Sequence, residues 1–361
     1  IVGTIVGTIV PAETDLAAGQ SVVVDEQLDL FDFSALNQES QMDFKDLVQK
    51  AIHGELDLSP ARLAGQARDL FLRTLLDNGS LMRGLFLVAV LSAILQVLTD
   101  SFKNKSVGEL GFYVSYMALV TVLFASFQIA VQVMTNLINH LSAFMAAALP
   151  VMLGILAASG HLTSASAFNP LFVFVIEALT LFIRNILTPA LTLAAVLEIV
   201  NFLSTKDVLT NLAKFIQKLA DWSLKGIAIL FLGVLSLQKV SSPILNHLAV
   251  KAAKAGANAI PVVGGMVSGA LDTVLVWSAA LKSGVMVALV IALVAVCCVP
   301  LMEILAMLLI YKIVAAVVQP VSDERIVKCL DAIGAYCGLL LGAGVTVVVM
   351  FIVSVVILLA M

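Results

Sequence analysis

The chain has 361 residues, of which 61% are hydrophobic and 12% are charged, and its mean hydropathy is +1.08. Soluble domains are about 45 to 50% apolar and about 25% charged, so much of this surface must face lipid. The net charge is −4 and no basic stripe with interleaved aromatic residues occurs, which argues against a nucleic-acid partner. We therefore predict an all-α, polytopic helical membrane protein.

The front of the chain differs in composition, because residues before position 80 hold thirteen of the 24 acidic residues. Residues 1–10, IVGTIVGTIV, resemble the end of a signal peptide, and a processed terminus is the alternative. The rest of 1–40 is predicted to be a flexible acidic arm. This part of the chain therefore faces water.

Two short amphipathic helices are predicted in 41–80. The first runs from about Met42 to Ile52 and ends at Gly54. The second starts at Ser59-Pro60, which supplies an N-cap and a first-turn proline. Together they are expected to form a small extracytoplasmic helical domain.

Residues 81–361 are predicted to form the membrane domain, because their apolar runs approach the roughly 20 residues that a spanning helix needs. The run 284–318 is either a single tilted helix or two short helices broken at Pro300 and Glu303. We predict about seven spans. The runs are 81–98, 110–134, 141–158, 168–183, 185–203, 226–238, 284–318 and 334–361.

Lysines near the span ends predict the orientation. Lys103 and Lys105 lie between the first two predicted spans, and a second group follows the fifth, namely Lys206, Lys214, Lys218 and Lys225. Four predicted spans separate the groups, so both can be cytoplasmic. The N-terminal domain is then outside the cytoplasm.

The second basic group lies in a predicted amphipathic cytoplasmic helix at about 205–222. Its apolar face consists of Val208, Leu212, Phe215, Ile216, Leu219 and Trp222. This helix either touches anionic lipid or a partner, or it covers the end of the helix bundle.

Motifs of enzymes are not found. The chain has no phosphate-binding G-x-x-x-x-G-K-[ST] loop and no H-E-x-x-H pair, and its four histidines share no helical face. The four cysteines, Cys297, Cys298, Cys329 and Cys337, form no C-x-x-C motif and are predicted to be packing residues. We expect no enzyme, and no catalytic, cofactor-binding or metal-binding residue.

Several ionisable residues interrupt apolar runs, at a cost of at least about 2.5 to 3.5 kcal/mol each on insertion scales. They are Glu177, Glu198, Glu303 and Lys312, with Arg184 at a predicted span boundary. They either line a conduction or proton path, or they are structural. In the structural interpretation Glu177 pairs with Arg184 between helices, Glu198 lies near the headgroups, and Glu303 caps a helix that begins after Pro300.

The segment 260–284 is unusual, because Pro261 and the pair Gly264-Gly265 break any helix that enters them. Helical periodicity resumes from Ser268 to Lys282. The segment is predicted to be either a re-entrant element or close helix contact, or a plain extracellular loop.

The same segment carries a resemblance to a known family. PVVGG at 261–265 is followed by Ser268, Ala270, the run Asp272-Thr273-Val274-Leu275 and Leu281-Lys282, and this order closely resembles the stage III sporulation protein AE family. Further matches are ALPVMLGILAASG at 148–160, FNPL at 168–171 and FLGVLSLQ at 231–238. The resemblance covers roughly 40–361. The signature residues that we regard as a possible conduit or subunit contact are Pro261, Gly264, Gly265, Ser268, Asp272, Thr273 and Lys282.

The resemblance implies a role in endospore formation. Members are subunits of the complex encoded by the stage III A operon, in the mother-cell membrane that becomes the outer forespore membrane. The complex meets stage II sporulation protein Q of the forespore, forms a channel that resembles specialised secretion systems, and supports forespore development after engulfment. Its ATPase is a separate subunit, AA. We therefore expect a membrane platform or conduit, with further copies of the same chain among its candidate partners. The alternative is an independent ion-coupled secondary transporter.

Overall fold

The computed structural model describes residues 28, 32–56, 59–100, 105–158, 170–203, 210–241, 264–320 and 322–360. These ranges contain ten α-helices and no β-strand, which confirms the all-helical prediction. The predicted signal remnant and most of the acidic arm lie outside them. The helices are α1 (Ser34–Ser40), α2 (Phe44–Ile52), α3 (Pro60–Asp77), α4 (Gly79–Asp100), α5 (Lys105–Ala158), α6 (Pro170–Phe182), α7 (Thr188–Leu203), α8 (Thr210–Ser241), α9 (Gly264–Val318) and α10 (Glu324–Ala360).

Local signals position the N-terminal helices. The Asp43 side chain accepts a hydrogen bond from the Asp46 backbone N–H at 3.2 Å and so caps α2. Pro60 occupies the first turn of α3, where its missing N–H has no intrahelical partner to lose. The segment predicted to be a flexible arm includes α1, which buries Leu36.

The central helices are longer than the sequence runs suggested. α5 has 54 residues and α9 has 55, so each is about 80 Å long. The predicted loop at 135–140 is helical and joins two predicted spans within α5. Thr135 donates its hydroxyl hydrogen bond to the Val131 carbonyl at 2.9 Å, so a polar residue here needs no loop.

A second merger occurs at a π-helical turn. α6 continues through Ile183–Leu187 into α7. Pro189 lacks the N–H that an α-helix would direct to the Asn185 carbonyl, so the backbone widens there instead. The Thr188 hydroxyl donates to the Ile183 carbonyl at 2.9 Å. The predicted span boundary at Arg184 is therefore a turn within one continuous helical segment.

These mergers reduce the number of spans. Within the described ranges, four helical segments are long and apolar enough to cross a membrane: Tyr116–Ile155, Phe174–Asn201, Lys282–Val318 and Glu324–Val356. The pair α3 and α4, bent by 47°, could supply a fifth. The predicted number of about seven is not confirmed. Pro300 lies inside α9 without dividing it.

Three helices, α5, α9 and α10, pack together at the centre of the bundle. At one end, the Tyr116 hydroxyl donates to the Ile199 carbonyl at 2.8 Å and ties α5 to α7. We name this the lower end. At the upper end, α2 packs against α9 at Gly284. Four of the smaller helices, α1, α2, α3 and α4, contact α9 along this upper part.

Among the described glycines, Gly284 is the one at which α2 approaches α9 most closely. A Cβ atom at 284 would collide with Cγ1 of Ile52 and would lie 3.5 Å from the Val48 carbonyl oxygen. Val48 is fully buried, so α2 cannot turn aside without exposing apolar surface. The absence of a side chain at 284 therefore permits this contact.

We predict that Gly284→Leu loosens α2, because overpacking a tight contact costs about 1 to 3 kcal/mol. Trypsin should cleave the purified protein faster at Lys50, which is exposed on the outer face of α2. Gly233→Leu is the matched control, since no atom lies within 4 Å of its added Cβ. Equal cleavage rates in the two variants would contradict the prediction.

Candidate functional site

A polar cleft of about 670 Å³ opens between α7, α8, α9 and α10, towards the lower end of the bundle. Its volume falls within the range typical of small-molecule sites, about 300 to 1,000 Å³. Both acidic and basic side chains line it. The polar residues on its wall include Glu198, Lys214, Gln217, Lys312, Lys328, Asp331 and Tyr336.

An ion pair joins the two helices on one side of the cleft. Nζ of Lys312 on α9 lies 2.5 Å from Oδ1 of Asp331 on α10, and 3.3 Å from the Asp331 carbonyl oxygen. Gly334 lies beside the lysine stem, since a Cβ there would be 3.2 Å from Cε of Lys312. Both charged groups are partly exposed to the cleft. The pair thus connects α9 to α10 while remaining accessible to water.

A second polar contact crosses from α10 to α7. The Tyr336 hydroxyl donates a hydrogen bond to Oε2 of Glu198 at 2.6 Å. Tyrosine can approach from an apolar helix face because its ring packs among side chains while its hydroxyl finds a partner. Glu198 therefore receives a donor from a facing helix.

Deeper tyrosine contacts hold the cleft walls in place. The Tyr311 hydroxyl on α9 donates to Oγ of Ser126 on α5 at 2.7 Å, and both residues are buried. The equivalent link from α5 to α7 runs from Tyr116 to the Ile199 backbone. Such bonds between membrane helices contribute about 0.6 kcal/mol on average and up to about 1.7 kcal/mol. They fix the register of α5, α7 and α9.

The structure brings together only two of the five predicted ionisable residues. Glu198 and Lys312 both line the cleft. Glu177 and Arg184 are exposed and lie on one continuous helical segment, not on two facing helices. Arg184 lines a smaller cavity of about 470 Å³ with Thr135, Thr188 and Thr192. Glu303 is half-buried inside α9, three residues after Pro300, and caps no new helix.

The described family-signature residues belong to the first part of α9. Pro261 is outside the described residues, and Gly264 and Gly265 are the first residues of α9. Ser268, Asp272 and Thr273 follow within α9, where the described part of the chain gives the backbone alone. Lys282 is half-buried on the same helix. From 264 to 284 the backbone is helical and continuous with the following span.

The predicted amphipathic helix at 205–222 begins, within the described residues, at Thr210 and continues to Ser241 as α8. Residues 204–209 lie outside the description. α8 buries Ala213 and Ala220 against the bundle. Of the predicted apolar face, Ile216 packs partly buried against the core. Four other large apolar side chains of this face are exposed: Leu212, Phe215, Leu219 and Trp222.

Sequence reasoning missed Asp331 and Tyr336. The last predicted span started at 334 and so left out Asp331, whereas α10 begins at Glu324. Tyr336 lay inside the predicted span and was assigned no role. A signal was available, because a lysine inside an apolar run needs a partner, and the next acidic residues follow Lys312 across a short turn. Tyr336 carried no comparable signal, since tyrosine is common in helical apolar runs.

The chemistry of the site is that of paired polar groups. Among the described residues, no group of three or more His, Cys, Asp or Glu side chains could hold a metal ion. All four cysteines are free, and Cys297, Cys329 and Cys337 are buried. The cleft can accommodate a small polar solute, and its contacts also join three helices.

We predict that exchanging the charges of the interhelical pair reveals its contribution. Lys312→Asp or Asp331→Lys places like charges together and should lower the melting temperature in mild detergent by a few degrees, since exposed pairs contribute about 0.2 to 1 kcal/mol. The double exchange should recover most of the loss. The same experiment at Asp221 and Lys225, which pair within α8 at 2.6 Å, is the control and should give a smaller effect. Additive losses in the Lys312/Asp331 double variant would contradict the prediction.

Comparison with known proteins gives one consistent result. Residues 42–361 match the family model described as stage III sporulation protein AE. The chain is 31% identical over 303 residues to stage III sporulation protein AE of Bacillus subtilis (strain 168), covering 84% of this chain and 75% of that relative. No solved structure matches. Because the family model covers most of the chain, this helical membrane protein belongs to the stage III sporulation protein AE family.

Proposed function

We propose that this protein is an integral membrane platform or conduit subunit of the sporulation channel complex that links mother cell and forespore, and that forespore development after engulfment requires it. Family membership supports a role in sporulation. The observation that carries the platform assignment is the bonding of cleft charges to other helices of the same chain. Lys312 pairs with Asp331, and Glu198 accepts from Tyr336.

Such internal bonding favours a scaffold over a catalyst. These groups fix α7, α9 and α10 relative to one another, as a scaffold requires. The cleft then forms part of a conduit wall. We propose accordingly that the protein is not an enzyme.

The basic residues support an orientation. Lys214 and Lys328 line the cleft near the lower end, and Lys103, Lys105 and Lys206 adjoin helix ends in the sequence. Two spanning segments, in place of the predicted four, separate the two lysine groups, so the number of crossings remains even. We propose that the protein lies in the outer forespore membrane. Its lower end then faces the mother-cell cytoplasm, and α1 to α3 lie outside the cytoplasm.

The proposed partners follow from this placement. They are the other proteins of the stage III A operon, the AA ATPase indirectly at the cytoplasmic side, and stage II sporulation protein Q through the complex. Further copies of this chain are also candidates, since α8 presents Phe215 and Trp222 to its surroundings.

The alternative is an independent ion-coupled secondary transporter. The cleft supports this alternative, because Glu198 and Lys312 both line a cavity that could hold a solute. A platform subunit is expected to be purified together with its partners, whereas a transporter is expected to move a solute by itself. One purified preparation therefore tests both functions.

We predict that the protein purified from sporulating cells in mild detergent carries other stage III A proteins with it. A chain that emerges alone and moves a solute across liposome membranes would exclude the platform function and establish the transporter. The control variant for the transport assay carries both Lys312→Asp and Asp331→Lys, which together keep the net charge of the protein.

We further predict that replacing Gly264 and Gly265 by leucine blocks sporulation after engulfment while the protein stays in the membrane. These glycines are the first two residues of α9, and small residues allow helices to pack closely. Gly226→Leu in α8 is the matched control, because its added Cβ meets no atom within 4 Å. A normal spore yield in the Gly264/Gly265 variant would reject a role for this segment.

A further inference from the structure

The exposed surface of α5 changes character along its length. Between Tyr113 and Ile129 its exposed side chains include five large apolar ones: Tyr113, Val114, Met117, Phe124 and Ile129. From Ala130 to Ile155 the exposed positions are instead Gln132, Asn136, Asn139, His140, Ala146 and Pro150. The exposed surface of this continuous helix therefore carries large apolar side chains in its lower half and none among the described side chains of its upper half.

α9 shows the same division. Its described side chains from Lys282 to Cys298 include none that is exposed, whereas Val299, Ile313 and Val317 are exposed. The rise from 299 to 317 is about 27 Å, which is close to the roughly 30 Å hydrocarbon core of a bilayer. On α10, Val349 is the last exposed large apolar residue among the described side chains. These residues and the lower part of α5 form what we call the apolar belt.

The upper part of α9 is apolar but is covered by protein. α2 and α3 pack against it, and it buries Val285, Ala288 and Leu289 completely. The outer surfaces of these covering helices carry many charges, and α3 also exposes Leu72 and Leu76. On α2, Lys50 pairs with Asp46 at 2.6 Å, and α3 exposes Arg62, Arg68, Asp69, Arg73 and Asp77.

A charged helix cannot lie between a spanning helix and lipid tails, because each charge would lose its hydration without gaining a buried partner. The surface formed by α2 and α3 must therefore face water. The ion pair between His140 of α5 and Glu39 of α1, at 3.6 Å, lies on the same upper part.

We infer that lipid tails contact the apolar belt and do not contact the upper parts of α5 and α9, which are covered by α1, α2 and α3 and form a water-facing body projecting from the membrane. Two exposed residues of α6, Phe174 and Leu181, lie outside the belt.

This arrangement determines the path of α8. α7 ends at the lower end, where Ile199 meets Tyr116, and α9 passes Gly284 at the upper end. The intervening chain must cross the belt, and α8 returns along α7 to contact α6. α8 carries four lysines, of which Lys214 lines the polar cleft.

Single cysteines at exposed positions of α5 test the inference: Asn136→Cys, Ala146→Cys and Phe124→Cys in the otherwise native protein. A membrane-impermeant, charged thiol reagent is applied to both sides of membranes containing the protein alone, so that partners cannot shield it. Asn136→Cys and Ala146→Cys should react severalfold above the wild-type background set by the four native cysteines, and from the same side. Phe124→Cys should stay at background, because a thiolate does not form in lipid.

The outcomes separate this inference from other arrangements. Unreactive Ala146→Cys with reactive Asn136→Cys would mean a loop followed by a second crossing of 141–158, and would overturn it. Reactive Phe124→Cys would also overturn it, since the belt would not be in lipid. The side of labelling reports orientation alone, so the proposed cytoplasmic lower end can fail while the projecting body stands.

Discussion

The close approach of α5, α9 and α10 at Gly344 is the constraint on which the remaining structure depends. A Cβ at 344 would lie 3.1 Å from Leu301 on α9, 3.2 Å from the sulfur of Met134 and 3.4 Å from Leu137 on α5. Membrane helices gain little from the hydrophobic effect once they are in lipid, so dispersion contacts at small residues must hold them. Gly344 therefore sets the distance among all three central helices.

Two further glycines extend this contact along α10. Gly338 faces Leu308 at 3.3 Å and Gly334 faces the stem of Lys312. Their spacing of four residues places them on one side of the helix. The lysine stem packs against the bare backbone at 334 while its charged end reaches Asp331. The polar cleft is thus a consequence of the same packing that brings α9 and α10 together.

The sequence predicted the helical class well because long apolar runs leave the backbone no other way to bond internally. It misplaced the boundaries for a related reason. Polar residues at 135–140 and Pro189 resemble loop signals, yet a helix satisfies its own backbone, turns Asn136 outwards and absorbs Pro189 in a π turn. The residue pattern within one helix does not show which of its faces other helices cover.

The candidate site was only half predictable for a physical reason as well. Glu198 and Lys312 were identifiable because a charge in an apolar run is costly wherever the helix lies. Their partners depend on the relative register of α7, α9 and α10, which contacts between the helices determine and which no single segment contains.

The position of the cleft follows from the turn between α9 and α10. Lys312 and Asp331 flank that turn, so a pair that is costly in the middle of a bilayer lies near an end, where the cleft admits water. Lys214 and Lys328 adjoin the same opening. Acidic and basic side chains therefore share one opening, and the charges of both signs lie at the end of the bundle and not in its middle.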